Sequence, residues 1–308
     1  MTGPEGAVDV AVAIVAYRVR DALARCLDSL DGALGDLTAW VTVVDNSPDL
    51  ATWHSLAARP RIRRLRGGPS LGFGAACNLA LMQAESRYFL VLNPDTVLPP
   101  GGIQALAAEL DRDPSIGIIG PKLVRENGEL DPAARRSFPT PGVALARLTR
   151  IGRLFPGSRR FGGYNLTYLD PDQRAEVGAV SGAFMLTRAA LFCELGGFGR
   201  GFWMYGEDLD FAHRVGRRGL KVVYEPSVTV VHAKRRSSAQ RPLRTRYEFY
   251  RAMLLFYRKH QAGERSFLMN GLVVAGIFAL GIGSVLLEGL RRGMRAVRLR
   301  RDSADHRR

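Results

Sequence analysis

Within its first 92 residues the chain alternates apolar, β-prone runs with segments of helical spacing, and few folds accommodate that order. "VDVAVAIVAY" (8–17) reads as a buried strand, and "RDALARCLDSL" (20–30) follows with Leu23, Cys26, Leu27 and Leu30 at helical spacing. "WVTVVDNSP" (40–48) is a second strand closed by Asp45 and a turn, and "RIRRLR" (61–66) a shorter, more exposed third. The Gly-rich "GGPSLGFGAACNLALMQAE" (67–85) enters a helix, and 88–92 forms a fourth strand. Strands joined through helices imply right-handed crossovers and a mostly parallel sheet. Ligands of such sheets bind beyond the carboxyl ends of the strands. Tyr17, Asp45 and Asp95 all stand there.

The pattern changes after Pro100. A helix over 101–111 precedes "GIIGPKLV" and the turn "ENGE", which together read as a hairpin. Residues 133–175 are rich in Arg, Pro and Gly and read as a long functional loop. A strand running into a helix is expected over 177–198, and a helix over 206–219 with acids in its first turn and bases in its last. "LKVVYEPSVTVVH" supplies two more short strands, and 243–260 is a basic amphipathic helix.

The last segment differs in kind. Ser266 to Leu287 runs 22 residues without a charge, about the length that crosses a bilayer. Basic residues flank it on both sides, with Arg258, Lys259 and Arg265 before it and Arg291, Arg292, Arg295, Arg298, Arg300 and Arg301 after it. A single span would place one basic flank outside, against the positive-inside rule. A re-entrant or in-plane segment, a true span, and a buried or oligomer-forming helix all remain open. The expected division is a catalytic domain at 1–240, the amphipathic helix at 241–263 and a membrane-associated segment at 264–308. The N-terminus shows no signal-peptide pattern.

The balance of 44 Lys+Arg against 29 Asp+Glu gives a formal charge of +15, so an anionic partner is expected. Against that background the carboxylate in "YFLVLNPDTVLPP" stands out. Proline ends strand pairing at Asn93-Pro94, and Asp95 follows at the strand's carboxyl end. An acid there suits a hard divalent cation, which needs few protein carboxylates when a ligand's phosphates complete its shell. The acid would serve the metal, and the metal a diphosphate. A second acidic site, "WMYGEDLDFAHR", holds Glu207, Asp208 and Asp210 within four residues, more than dipole compensation requires. The aromatic approach "GFWMY", with Trp203 taken as acceptor-facing, would desolvate them and raise a carboxyl pKa toward that of a general base. His232 closes the strand "VTVVH" and is either a structural residue or a metal ligand. Cys26, Cys77 and Cys193 read as reduced core thiols.

In this order, "VAIVAY", "VVDNSP", "SLGFGAACNLAL", "FLVLNPDTVLPP", "VSGAFMLTRAALFCELGGF", "FWMYGEDLDFAHRVGRRG" and "VVYEPSVTVVH" resemble an inverting family 2 glycosyltransferase, of bacterial rhamnosyltransferase type. The resemblance covers about residues 8–260. It implies an α/β fold of the GT-A type, a nucleotide-diphosphate sugar donor (dTDP-rhamnose favoured) and Mg²⁺ or Mn²⁺. It further implies that Ala16, Tyr17, Asp45, Gly72, Asn78 and Asn93 contact the donor nucleotide. Asn93 stands where the common pattern has a first acid. Asp95 matches the metal-binding acid, His232 a residue reaching the metal or diphosphate, and Asp208 the catalytic base with Glu207 beside it. Arg135 and Arg136 in "AARRSFPTP" either grip an acceptor pyrophosphate or belong to a solvated loop. The acceptor expected is a lipid-linked glycan, and the setting an anionic membrane surface on the cytoplasmic face of the plasma membrane; a homo-oligomer is left open. A nucleotidyltransferase would need a Gly-rich triphosphate loop after the first strand, where "AYRVRD" stands instead. A nucleic-acid-binding module would rest on charge alone, so no nucleic-acid partner is expected.

Overall fold

The computed structural model describes residues 7–148, 154–155, 157–159, 162–233 and 242–305. The chain divides into a large compact unit, Met1–Trp203 with Glu207–Ser237, and a second unit, Ser238–Arg308 with Met204–Gly206.

In the large unit β1 (Val8–Ala16), α1 (Arg20–Leu34), β2 (Ala39–Asp45), α2 (Ala51–Ser55), β3 (Ile62–Arg66), α3 (Phe73–Leu81) and β4 (Ser86–Leu92) alternate in sequence. β1 pairs in parallel with β2 and β4, and β2 with β3. Then come β5 (Thr96–Val97), α4 (Gly102–Arg112), β6 (Ile116–Val124), β7 (Arg135–Arg136), α5 (Pro141–Leu148), β8 (Ala175–Glu176), β9 (Ala179–Val180), β10 (Phe184–Arg188), α6 (Ala189–Glu194), α7 (Glu207–Gly216) and β11 (Lys221–His232). The sheet order is β3-β2-β1-β4-β10-β6-β11-β5, with β8 paired to β11, and β7 and β9 form a separate ribbon. The strands of the first half are parallel as expected and β6 is parallel to β11, while β10 runs antiparallel to both β4 and β6, so the sheet is mixed but mostly parallel.

Helices cover the sheet, which is why its central strands are apolar without alternation. Val10–Ile14 and Tyr88–Leu92 are buried throughout. Under α6 and α7, Phe192 packs on Phe89, Phe198 and Phe211 with ring centroids 5.0–5.5 Å apart. α7 meets β6 at Gly117, where a Cβ would collide with Val215 of the helix. That close approach fixes the helix carrying the second acidic motif.

Two local expectations change. "ENGE" closes only a single bridge, Val124 with Leu130, so no hairpin forms. "LKVVYEPSVTVVH" is one strand, broken in register between Glu225 and Thr229, because the bulge absorbs Pro226 without ending the pairing.

In the second unit α8 (Pro242–His260) and α9 (Phe267–Asp305) are joined by a 3₁₀ turn at Ala262–Glu264. The segment Phe267–Gly289 is long and apolar enough to cross a membrane, with a mean hydropathy of 2.1 and 6% of its apolar window buried.

Candidate active site

The carboxyl ends of the parallel strands gather at one edge. Ala16, Asp45 and Arg66 are register partners across β1, β2 and β3, and the end of β4 meets the start of β10 at Leu92 and Phe184. Tyr17, half-buried, follows Ala16 at the strand end. Asp45 is fully buried, its Oδ1 accepting the Ser47 N–H at 2.9 Å and its Oδ2 a hydrogen bond from Arg66 at 2.7 Å. Arg66 also donates to the carbonyls of Ser47 and Asp49, so this one cation shapes the whole strand-end turn. Nothing in "RIRRLR" singled it out.

Asp95 lies beside His232, with Oδ1 and Nε2 separated by 3.4 Å, and the Asn93 amide is 3.2 Å from the same nitrogen. Behind the ring, Asp131 faces Nδ1 at 3.0 Å and is itself fully buried. Burial alone would pull the imidazole pKa down, but Asp131 and Asp95 outweigh it and push His232 up to about 9. Asp131 was missed by sequence reasoning, since it follows "ENGEL" outside any strand end and its partner lies 101 residues away. Its Nδ1 contact holds the ring with Nε2 toward Asp95, as carboxylates commonly do behind metal-binding histidines. Asp95 and His232 therefore converge as an oxygen and a nitrogen, and they fit a divalent cation that would take the place of the Nε2 proton, with its remaining positions going to phosphates and water. No group of three or more such side chains occurs among the described residues.

The second motif places its three acids differently. Asp210 is paired with Arg214 at 2.9 Å, a contact within α7. Glu207 is buried, and its Oε2 has no hydrogen-bond partner among the described residues. Burial first, and then the charge of Asp208, push its carboxyl up to about 8. Asp208 Oδ2 accepts from Arg136 at 2.6 Å and from the Gly182 N–H at 3.1 Å, while Oδ1 accepts from the Leu209 N–H at 2.8 Å. The next residue, Ala183, accepts the Asn93 N–H at 2.9 Å through its carbonyl. The short turn Ser181–Ala183 thus joins the two acidic motifs, 113 residues apart in sequence at Asp95 and Asp208.

Several expected contacts are engaged elsewhere. Arg135 is 2% exposed, donates to the carbonyls of Leu169 and Asp170, and lies over the Tyr224 ring at 5.1 Å. Arg136 is also buried and holds Asp208 and the Val180 carbonyl. Burial would lower the Arg136 pKa, but Asp208 and Tyr164 together outweigh it and raise it. Neither arginine is a solvated loop residue, because ribbon pairing of β7 with β9 draws both inside. The Asn78 amide clamps the backbone of Phe198, donating to its carbonyl at 2.9 Å and accepting its N–H at 2.8 Å. Gly72 is where the Trp203 backbone comes close: a Cβ there would lie 2.7 Å from the Trp203 carbonyl oxygen. The Trp203 indole donates to the Ser70 carbonyl at 3.0 Å. These residues fix the loop that leads to α7.

A buried acid whose pKa is raised destabilises the fold as pH climbs. The Glu207 contribution is whole below the ordinary value of 4.5, falls as the unfolded chain ionises, and is lost above about 8. Glu207→Gln should therefore melt progressively higher relative to the unaltered protein between pH 5 and pH 8. Parallel melting curves across that range would contradict the buried, proton-holding state.

The mixed, mostly parallel sheet flanked by helices has the GT-A architecture, and the fold neighbours agree. A mannosyltransferase from Pyrobaculum calidifontis, solved with GDP-Man and Mn²⁺, superposes with a TM-score of 0.56 at 17% identity, covering 96% of this chain and 82% of its own. TarS of S. aureus (residues 1–349), solved with UDP-GlcNAc, gives 0.53 at 17% identity, covering 89% and 73%. The model of glycosyl transferase family 2 matches residues 11–191, and the chain belongs to that family. It is 29% identical over 265 residues, 82% of this chain and 85% of the relative, to an N-acetylglucosaminyl-diphospho-decaprenol L-rhamnosyltransferase of Mycobacterium tuberculosis. Over 52 residues it is 36% identical to the rhamnosyltransferase WbbL of Escherichia coli, 17% of this chain and 20% of that one.

Proposed function

We propose that this glycosyltransferase moves a sugar, rhamnose being favoured, from a nucleotide-diphosphate donor to a hydroxyl of a polyprenyl-diphosphate-linked glycan, with inversion at the anomeric carbon. The observation that carries the reading is the meeting of Asp95–His232 and Asp208–Arg136 on either side of the Ser181–Ala183 turn. The name of the mycobacterial relative supplies the sugar and the class of acceptor. Nucleotide sugars are cytosolic and a polyprenyl carrier is membrane-borne, so the reaction belongs at the cytoplasmic face of a membrane.

Asp208 takes the proton as the acceptor oxygen attacks the anomeric carbon from the face opposite the leaving group. The bond to the diphosphate breaks with its electron pair, and the nucleoside diphosphate departs. Arg136 pairs with the Asp208 carboxylate, and the Gly182 and Leu209 N–H groups fix its orientation. Asp95 and His232 would hold Mg²⁺ or Mn²⁺, with Asp131 orienting the imidazole. When bound, the cation supplies Lewis-acid neutralisation of the departing charge.

Asp95→Ala should abolish the gain in nucleoside-diphosphate affinity on adding Mn²⁺, measured by titration calorimetry. Asp131→Asn should weaken the same gain by about 10–100-fold, since it leaves both donors in place but not their orientation. An unchanged metal dependence in Asp95→Ala would overturn this assignment.

A further inference from the structure

We propose that α8 and α9 form a hairpin that lies in the plane of one anionic leaflet and does not cross it. The inference rests on the membrane setting proposed above and addresses how the chain meets that membrane.

The two helices are tied along their length. The Tyr257 hydroxyl donates to Asn270 Oδ1 at 2.6 Å near the turn, where the Asn270 amide also bonds the Ala262 carbonyl at 3.0 Å. At the other end Arg246 donates to Ser284 at 2.6 Å and pairs with Glu288 at 2.9 Å. Gly281 faces the Tyr250 ring between them. The ties run from Asn270 to Glu288, about 27 Å of helix at 1.5 Å per residue. That is nearly the hydrocarbon thickness of a bilayer, about 30 Å.

A spanning α9 would therefore carry α8 across with it. The charges Arg246, Glu248 and Arg251 would then lie within or beyond the hydrocarbon, and charged side chains at such depth are strongly disfavoured. An in-plane hairpin avoids this. Asn270, Ile277, Gly281, Ser284 and Glu288 recur at helical spacing on the α8 side. Leu268, Leu272, Phe278, Ile282 and Leu286 recur on the opposite side, each exposed by more than half. That broad apolar arc has the shape of an interfacial helix's buried face.

Charge names the occupant. Arg244, Arg251 and Arg258 stand seven residues apart on α8 and are exposed, as is Lys259. Arg265 precedes the apolar segment, and Arg291, Arg292 and Arg295 continue α9 beyond it. Basic residues at both ends of one apolar arc favour a single anionic surface. The same unit includes Met204–Gly206, where Tyr205, at φ 70°, sets its ring edge-on to Phe249 at 6.0 Å.

Impermeant maleimide labelling of the full chain in sealed vesicles tests the topology. The exposed Cys193 reports the catalytic unit; in a Cys193→Ser background, Gly263→Cys reports the turn between α8 and α9 and Ser303→Cys the C-terminal helix. All three should label from the same side in vesicles of either orientation; residue 303 on the opposite side would establish a single span, and residue 263 alone on the opposite side a hairpin that crosses, and either would overturn the proposal. Purified protein should also float with phosphatidylcholine vesicles containing 30% phosphatidylglycerol and at least tenfold less with phosphatidylcholine alone. Equal flotation would overturn the choice of an anionic leaflet, and a dimer that does not float would assign the apolar arc to a second copy. Phe278→Glu with Ile282→Glu should abolish flotation while nucleoside-diphosphate binding persists. The latter measurement separates failure of the hairpin from failure of the proposed activity.

Discussion

Asp208→Asn should reduce sugar transfer by about 10²–10⁴-fold, the usual contribution of a positioned general base, while donor affinity stays within a few fold. The amide keeps the shape of the carboxylate and still accepts from the Gly182 N–H, but it cannot take the acceptor's proton. Titration of the nucleoside diphosphate against the variant, beside single-turnover transfer, separates the two effects. Loss of binding and turnover together would instead make Asp208 part of the donor site. Glu207→Gln should retain much more activity, because the Glu207 carboxyl is buried and held up to about 8 by its surroundings.

Arg136→Met should be the most destabilising single change at the site. Removing one member of a buried ion pair costs about 3–5 kcal/mol, because the remaining charge is left without compensation. For a unit of this size that corresponds to a fall in melting temperature of roughly 6–20 °C. Restoring neutrality with Asp208→Leu in the same chain should recover part of the loss. An acceptor-gripping arginine would behave otherwise: the variant would raise the KM for acceptor and leave melting unchanged. The 2.6 Å contact with Asp208 and the buried guanidinium favour the first outcome.

Arg136 also marks where the sequence stops being legible. The strand-helix alternation located β1 to β4 closely, because buried parallel strands need uninterrupted apolar runs and their helices need spaced ones. The acids at strand ends and at the head of α7 were visible for the same reason: carboxylates beside apolar runs are conspicuous. Pairings across long separations leave no local trace. The β7–β9 ribbon that draws Arg135 and Arg136 inside spans 44 residues at its Arg136–Val180 contact, and the Asp131–His232 pair spans 101. Asn78 and Gly72 show a related limit. Both stand near the candidate nucleotide site in sequence, yet their geometry serves the Phe198 and Trp203 backbones. The C-terminal segment was ambiguous from hydropathy alone, since the polar ties to α8 that argue for an in-plane hairpin come from a different helix.

The most direct test is transfer itself. Full-length protein in anionic vesicles carrying polyprenyl-diphosphate-linked N-acetylglucosamine would be offered dTDP-rhamnose, UDP-sugars and GDP-sugars in turn, with and without Mg²⁺ or Mn²⁺. Nuclear magnetic resonance would then read the anomeric configuration of the product. The expected result is cation-dependent transfer of rhamnose to the lipid-linked acceptor, with the configuration opposite to that of the donor. Transfer with the donor's configuration retained would contradict the single displacement assigned to Asp208, and no transfer to the lipid-linked acceptor from any of these donors would contradict the proposed function.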